Sequence, residues 1–242
     1  MRTTLIPNMI DLLKTNINKK NADRLMFEIG NIYAKNPSSD ELPVQLEHII
    51  IGKNNIDFYE LKNIINYITN TLNIEELTYK KANEPFLHPG RSAYIYLNDT
   101  MLGFIGQIHP SVAVKYDIPF NICLAELSFD EIFNIVKDQK NIIAKQVGKY
   151  PAVLRDIAVV CNEDVEVGEL KSTIKKYGGK NLISCNVFDV YRNITTLGVG
   201  KKSIAFNLKF RSDTETLTDD MIEKTMNEII TGLAHDNNAL LR

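Results

Sequence analysis

The chain has 242 residues, enough for one large domain or two of ordinary size, with 44% hydrophobic and 24% charged residues. The formal net charge of −2 excludes bulk attraction to nucleic acid, so a contact with RNA must use a local basic patch or a partner's positive surface. No apolar stretch reaches the roughly 20 residues of a membrane span, and no secretory pattern is visible, so we expect a cytoplasmic protein without a membrane partner.

The first half of the sequence alternates helical and strand-like segments. Apolar residues at helical spacing predict a helix over residues 5–17, and two apolar runs predict strands over 25–33 and 44–51. Asp57 and Glu60 form a capping box that precedes an amphipathic helix. The order predicts a mixed domain of helices and strands.

The next segments continue this alternation up to a weakly periodic stretch. Residues 94–97 and 102–105 predict a hairpin around Asn98 and Asp99. A short helix is predicted after Pro110, and a strand and a helix over 122–127 and 130–136. Turn sequences are predicted at 88–92 and 109–111. We place a domain boundary between residues 147 and 148, which divides the chain into domains 1–147 and 148–242.

The second half predicts the order strand, helix, strand, strand, helix, strand. The predicted strands are 156–161, 182–191, 203–210 and 239–241, and the predicted helices are 167–177 and 221–234. This order within fewer than 100 residues is the ferredoxin-like, split βαβ pattern. The three cysteines lie in apolar runs, are odd in number and lack metal-ligand spacing, which indicates reduced core residues.

One strand of this half has two different faces. Ile204, Phe206 and Leu208 share one face by period two, whereas Ser203 and the alternate residues form a small, polar face. A neighbouring strand would add Asp189 and Tyr191 to the polar face. Such a face suits the stacking of unpaired bases, but a plain solvated face is the simpler interpretation from composition alone.

The basic residues of this half form local groups. Arg155 precedes Asp156 at the start of a strand, where an internal ion pair is at least as good an interpretation as RNA contact. Arg192, Lys201 and Lys202 surround one glycine-containing loop and suit either a solvated surface or contacts with phosphates. The histidines lack metal-ligand spacing, and neither a phosphate-binding loop motif nor a nucleophile elbow occurs.

Several motifs, taken together and in order, resemble the β subunit of bacterial phenylalanyl-tRNA synthetase. They are R-T-T-L-I-P at 2–7, F-E-I-G-N-I-Y at 27–33, D-F-Y-E-L-K at 57–62, H-P-G-R-S-A at 88–93, G-Q-I-H-P at 106–110, Y-P-A-V-L-R-D-I-A at 150–158, F-D-V-Y-R at 188–192 and K-K-S-I-A-F at 201–206. The resemblance covers essentially the whole chain. It implies an α+β protein: a degenerate class II synthetase-like domain with an antiparallel sheet, N-terminally incomplete, followed by a ferredoxin-like anticodon-binding domain.

The same resemblance implies a function. The chain would be the C-terminal part of a longer subunit, because the family's N-terminal tRNA-binding module and editing region are not in it. It would support the catalytic α subunit within a heterotetramer of two α and two β subunits, expose an apolar surface toward that subunit, and bind the anticodon stem-loop of tRNA(Phe). ATP and Mg²⁺ would serve the whole enzyme, and we expect no cofactor in this part.

The residues agree with a non-catalytic role for the first domain. Class II adenylation needs arginines that stabilise charge on the α-phosphate. Asn31 and Ala34 stand where the resemblance would place the arginines of the second motif, and residues 124–133, at the position of the third motif, contain neither glycine nor arginine. We therefore expect no catalytic residue and no metal ligand in this chain.

The resemblance also assigns candidate RNA-binding residues. Tyr191 would stack on an anticodon base while Asp189 accepts hydrogen bonds from the base edge. The further candidates come from the basic groups and the small polar face described above: Arg155, Arg192, Lys201, Lys202 and Ser203. A different class of binding protein stays open, in which the ferredoxin-like domain senses a small molecule such as an amino acid and would show a pocket at a helix–strand edge. A hydrolase acting on acyl phosphates is a weaker enzymatic alternative, because the loop near Gly198 lacks an arginine paired with a positioned asparagine.

Overall fold

The computed structural model of the chain describes residues 1–21, 23–36, 41–74, 77–137 and 148–242. The chain forms two compact units, Met1–Ile142 and Ile143–Arg242. The predicted boundary between residues 147 and 148 falls at the end of a segment, 138–147, that lies outside the described residues. Within the described ranges, no helix combines the length and the hydropathy that a bilayer span requires.

The first unit is built on a six-stranded antiparallel sheet. Its elements are α1 (Ile6–Asn18), β1 (Met26–Ala34), β2 (Val44–Asn54), α2 (Phe58–Thr71), β3 (Thr78–Lys81), β4 (Leu87–Leu97), β5 (Thr100–Ile108), α3 (Pro110–Tyr116), β6 (Ile122–Ser128) and α4 (Phe129–Lys137). The strand order is β1-β2-β6-β5-β4-β3. The edge strand β3 was not predicted from the sequence, because four residues of mixed polarity give no clear period.

Helices cover both faces of this sheet. Successive residues of β2 point to opposite faces, and each face has its own core. Ile50 packs in a core with α1 and α3, while Ile51 packs in a core with α2. The central strand β6 is buried on both faces from Ile122 to Leu127, which explains why its sequence is a continuous apolar run apart from one glutamate.

The helix starts of the first unit are stabilised in different ways. The predicted capping box is present: Glu60 N–H donates to Asp57 Oδ1 at 2.8 Å, and Asp57 N–H donates to Glu60 Oε2 at 2.9 Å. At α1, the carboxyl group of Glu126 on β6 accepts from Leu5 N–H at 3.2 Å and from Thr4 Oγ1 at 2.5 Å. This distant side chain adds to a local contact, in which Thr4 Oγ1 accepts from Ile6 N–H at 3.2 Å.

The predicted turn at 88–92 is wrong. These residues form the first half of β4, and a register shift between Leu87 and Ser92 interrupts the pairing of β4 with β5. A bulge therefore accommodates the proline and glycine that suggested a turn. At the second turn sequence, 109–111, Pro110 and Ser111 already belong to the short helix α3. His109 caps this helix by accepting from Ser111 N–H at 3.2 Å.

The second unit has the predicted ferredoxin-like order. Its elements are β7 (Val153–Asn162), α5 (Val167–Gly178), β8 (Leu182–Tyr191), α6 (Ile194–Leu197), β9 (Lys201–Phe210), α7 (Asp219–Asn237) and β10 (Leu240–Leu241). The antiparallel sheet has the order β10-β7-β9-β8, in which the first and third long strands lie at the centre. The α+β fold class is confirmed.

Period two determines how this sheet packs. The β9 residues Ile204, Phe206, Leu208 and Phe210 are fully buried in a core with α5 and α7. All three cysteines are buried free thiols, as predicted, and burial raises the pKa of Cys123 to about 12. The side of the sheet opposite the two long helices carries the alternate residues, which include the candidate RNA-binding pair.

Candidate nucleic-acid interface

The side of the second sheet that is turned away from α5 and α7 is termed the polar face here. Residues paired directly across antiparallel strands point to the same side, so the register defines its rows. The rows are Tyr191, Ser203 and Val160; Asp189, Ala205 and Ala158; Asn186, Asn207 and Asp156; and Ser184, Lys209 and Leu154. Small side chains thus form the floor beside Tyr191, as in sheets that seat bases.

The structure brings Tyr191 and Asp189 together on the polar face. Tyr191 pairs with Ser203 and Asp189 pairs with Ala205, which places the two side chains in adjacent rows. A register shift between Val187 and Asp189 makes Phe188 an extra residue of β8, and this side chain is 61% exposed. Sequence periodicity predicted the shared face of the pair correctly, because the bulge lies just before both residues.

Arg242 is a residue of this face that sequence reasoning missed. Its guanidinium lies over the Tyr191 ring, 4.7 Å from the ring centroid. Arg242 N–H donates to Ala158 O at 2.9 Å, which continues the pairing of β10 with β7 and points the side chain across the polar face. Cation–π contacts at exposed sites contribute about 0.5–1 kcal/mol, which favours this position of the ring. Only the register of the short strand β10 could have identified Arg242.

Two further candidates lie at the Tyr191 end of this face with very different exposure. Ser203 is only 2% exposed. Lys201 pairs with Asn162 at the start of β9 and is exposed, so its ammonium group can reach a ligand at this end of the sheet. Ser203 therefore contributes mainly to the floor beneath the Tyr191 ring, while Lys201 offers a positive charge.

Arg155 lies on the other side of the sheet. It pairs with Leu208, on the helix side, and its Nη2 donates to Asp219 Oδ1 at 2.7 Å at the start of α7. Arg155 and Asp156 therefore do not pair with each other, because consecutive strand residues point to opposite faces. The structure does not bring Arg155 together with Tyr191.

Arg192 and Lys202 are both bound to Glu163, in the loop after β7. Glu163 Oε1 accepts from Arg192 Nε at 2.9 Å and lies 2.8 Å from its Nη2, and the Arg192 guanidinium lowers the pKa of this carboxyl. Lys202 is 7% exposed, and its Nζ donates to the Glu163 carbonyl oxygen at 2.8 Å. This burial removes Lys202 from the groups that could reach a phosphate.

Two cavities of the second unit lie along α7, away from the polar face. One, of about 330 Å³, lies between α7 and the end of β9, where Phe210 and Leu217 meet Lys224. The other, of about 580 Å³, lies between Tyr177 and the exposed side of α7 and is wide open. The cavity at Phe210 has the helix–strand location expected of a small-molecule sensor, but its volume alone does not identify a ligand.

In the first unit, Asn31 and Glu126 lie in the segments that resemble the second and third class II motifs, and both make structural contacts. The carbonyl oxygen of Asn31 on β1 accepts from Arg2 Nε at 3.0 Å. Glu126 accepts from α1 as described above and lies 2.9 Å from His48 Nδ1. Among the described residues, no group of three or more histidine, cysteine, aspartate or glutamate side chains is arranged to hold a metal ion.

Family comparisons agree with both halves of this description. The protein-family model described as the phenylalanyl tRNA synthetase beta chain CLM domain matches residues 1–129. The protein-family model described as the ferredoxin-fold anticodon binding domain matches residues 148–242, which include the whole polar face.

Several relatives match the chain over most or all of its length. The phenylalanine–tRNA ligase β subunits of Clostridium acetobutylicum and Clostridium tetani are 35% and 36% identical to the chain over its whole length, and that of Staphylococcus aureus is 35% identical over 95% of it. The chain spans 30% of the length of each. Among solved structures, a pyrrolysyl-tRNA synthetase from Desulfitobacterium hafniense matches with a TM-score of 0.48 and 13% identity, over 57% of this chain and 50% of the other.

Proposed function

The chain belongs to the phenylalanyl-tRNA synthetase β-chain family, and on this basis we propose that it acts as the C-terminal part of a phenylalanine–tRNA ligase β subunit. Residues 148–242 would bind the anticodon stem-loop of tRNA(Phe), and the first unit would support the catalytic α subunit in a heterotetramer. ATP and Mg²⁺ would serve the whole enzyme, with Mg²⁺ bound elsewhere than in this chain. The assembly would work in the cytoplasm.

The observation that carries the proposal is the position of Tyr191 beside Asp189 on the polar face. An aromatic ring above small side chains offers a stacking surface for an unpaired base, and the adjacent carboxylate can accept hydrogen bonds from that base. Arg242 already covers one side of the Tyr191 ring. A bound base would share or displace this contact, and the guanidinium would then lie close to the RNA.

The amino-acid sensor remains the second candidate function, on the strength of the cavity at Phe210 and Lys224. The match of residues 148–242 to an anticodon-binding family favours RNA. The experiment that separates the two measures tRNA binding by the chain alone and with added α subunit, at two salt concentrations. Saturable binding that weakens with salt supports the proposal, whereas binding of phenylalanine without any binding of tRNA supports the sensor.

Lys201→Ala should reduce the salt dependence of RNA binding, while Lys202→Ala should not. An exposed lysine that neutralises one phosphate adds about one unit to the slope of log K against log salt concentration. Lys202 is held by the Glu163 carbonyl oxygen, so its loss should lower stability instead. RNA-binding titrations of both variants at salt concentrations between about 50 and 200 mM check this difference, because such slopes are measured over this range. Equal slopes for Lys201→Ala and wild type would remove Lys201 from the interface.

The proposed support of the α subunit rests on an apolar surface of the first unit. Phe27 on the edge strand β1 is 69% exposed, and Ile29 and Leu25 beside it are also exposed. Phe27 and Ile29 pair with Ile51 and Ile49, so they extend the apolar face of the α2 core to the sheet edge. Edge strands with such side chains are usually covered, which here suits a subunit interface.

Phe27→Asp should weaken association with the α subunit about tenfold or more, because a buried aromatic anchor of an interface typically contributes over 1 kcal/mol. Phe120→Asp is the matched control, since Phe120 is another exposed aromatic residue of this unit, located before β6. Sedimentation or light scattering of the two variants with α subunit at micromolar concentration measures the effect. Equal association of both variants, or none by the wild-type chain, would contradict this surface.

A further inference from the structure

One end of the second sheet carries an ion pair next to the row of the polar face that holds Tyr191. β7 and β8 are both antiparallel to β9, so the ends of β7 and β8 lie together at the start of β9. Glu163 directly follows β7, and Arg192 directly follows Tyr191 at the end of β8. An RNA strand that leaves Tyr191 across this end of the sheet would therefore pass close to both charged residues.

The backbone of Glu163 is held in place without any help from its side chain. Its N–H donates to Gly200 O at 2.9 Å, just before β9. Its carbonyl oxygen accepts from the Nζ atom of the buried Lys202 at 2.8 Å. Both contacts use main-chain atoms of Glu163, so they remain when its side chain is replaced. A substitution at Glu163 therefore changes the charge at this end of the sheet and leaves the loop anchored.

The side chain of Glu163 neutralises a cation that RNA could otherwise attract. Its Oε1 atom accepts from Arg192 Nε at 2.9 Å and lies 2.8 Å from Arg192 Nη2. The two side chains are 58% exposed for Arg192 and 48% exposed for Glu163, so a phosphate in solvent can reach the guanidinium. Exposed ion pairs of this kind contribute little to stability, which means that this pair opens at small cost.

Other arginines of this unit are paired with carboxylates in the same way. Arg155 Nη2 lies 2.7 Å from Asp219 Oδ1, and Arg211 Nε lies 3.7 Å from Asp213 Oδ1. With a formal net charge of −2, the whole chain does not attract RNA by bulk electrostatics. Arg192 differs from these other arginines in its position, because it directly follows Tyr191 in the chain. It is therefore the paired arginine that a bound RNA strand reaches first.

We propose that Glu163 restrains RNA binding: its carboxylate occupies Arg192 in the free chain, and an RNA phosphate replaces it in the complex. A guanidinium donates to carboxylate and phosphate oxygens with the same planar geometry, so the two anions are interchangeable partners. The exchange reads no base, because a phosphate carries no sequence information. This inference rests on the proposed RNA-binding function and adds to it the residue that sets its strength and its salt dependence.

The exchange of partners has a measurable effect on the salt dependence of binding. When Arg192 meets a phosphate, the RNA releases a counterion, but the Glu163 carboxylate that is left behind takes a cation up. The uptake offsets part of the release. Glu163→Gln removes the carboxylate and with it the uptake. This variant should therefore bind RNA more tightly than wild type, and its slope of log K against log salt concentration should be steeper by up to about 0.9 for the one phosphate involved.

The test uses the full chain with added α subunit and a labelled hairpin RNA that carries the anticodon loop of tRNA(Phe). Fluorescence anisotropy gives the affinity at salt concentrations from about 50 to about 200 mM. At the lowest salt concentration we expect Glu163→Gln to bind about two- to fivefold more tightly than wild type, the range set by an exposed ion pair, and the gain should shrink as salt is added. Asp164→Asn is the matched control, because it removes the same charge from the next residue of the loop and leaves the pair of Glu163 with Arg192 in place.

A double-variant cycle establishes whether the gain acts through Arg192. In a chain that carries Arg192→Gln, the further change Glu163→Gln should give no gain, because the cation that it would release is absent. An undiminished gain in that chain, an equal gain in Asp164→Asn, or wild-type affinity and slope in a folded Glu163→Gln chain would overturn the inference.

If Glu163→Gln does not fold, the wild-type chain itself decides. The Arg192 guanidinium lowers the pKa of the Glu163 carboxyl group, and the nearby Lys202 ammonium acts in the same direction. The side-chain carboxyl signal of Glu163 in the carbon NMR spectrum reports this pKa. It should titrate at higher pH after the hairpin is added, because the phosphate has taken Arg192 away. An unchanged titration in the RNA complex would contradict the exchange.

The failure of this inference differs from that of the proposed function. Wild-type chain that binds the hairpin as Glu163→Gln does, with the same affinity and the same slope, disproves the exchange and leaves the RNA-binding function standing. Wild-type chain that binds no hairpin, while Glu163→Gln binds none either, disproves both.

Discussion

Replacing Tyr191 by alanine should weaken binding of the anticodon stem-loop about tenfold or more. Stacking of one base on an aromatic ring is worth roughly 1–3 kcal/mol, and the substitution removes the whole stacking surface. The ring stands over small side chains, so no other group of its row can replace it. Fluorescence anisotropy with a labelled stem-loop, in the presence of the α subunit, measures the loss.

Tyr191→Phe is the control for this variant. It keeps the ring and its contact with Arg242, whose guanidinium lies 4.7 Å from the ring centroid, so binding should change less than threefold or so. Circular dichroism establishes that both variants are folded. If Tyr191→Ala binds the stem-loop as tightly as wild type, Tyr191 is only a surface tyrosine and the stacking site is wrong.

The sequence predicted the second unit well because local periodicity decides most of it. Alternation along 203–210 separated the core residues from the polar ones, and the same rule placed Asp189 and Tyr191 on one side. The seven residues predicted to contact RNA do not all lie on the polar face, however. Arg155 and Lys202 point to the helix side, where Asp219 and the Glu163 carbonyl oxygen bind them.

What the sequence did not predict depends on contacts between distant segments. Arg242 reaches Tyr191 only because two residues of β10 pair with β7, and a two-residue strand gives no periodic signal. Likewise, Glu126 interrupts an apolar run because its carboxyl group accepts from Leu5 N–H, 121 residues away in the chain. Local patterns determine which residues share a face, but not which residue of another segment meets them.

Glu126→Ala should release α1 from the sheet of the first unit. Glu126 is 2% exposed, and its carboxyl oxygens accept from Leu5 N–H and Thr4 Oγ1 and lie 2.9 Å from His48 Nδ1. Alanine would leave the buried Leu5 N–H and the partly buried Thr4 and His48 side chains without this acceptor, at a combined cost of about 3 kcal/mol. Hydrogen exchange followed by mass spectrometry should show exchange in α1 about 100-fold faster, while peptides from β9 in the second unit keep their wild-type protection.

Glu28→Ala provides the matched control, because Glu28 also ties the N-terminal segment to the sheet but through a partly exposed ion pair with Arg2 at 2.7 Å. Such pairs contribute at most about 1 kcal/mol, so exchange in α1 should rise only slightly. Glu126→Gln should fall between the two, because an amide can accept from Leu5 N–H through its oxygen but turns a donor toward one of the other partners. Equal protection of α1 in Glu126→Ala and Glu28→Ala would show that apolar packing of α1, through residues such as Met9 and Leu13, holds the helix without help from the buried carboxyl group.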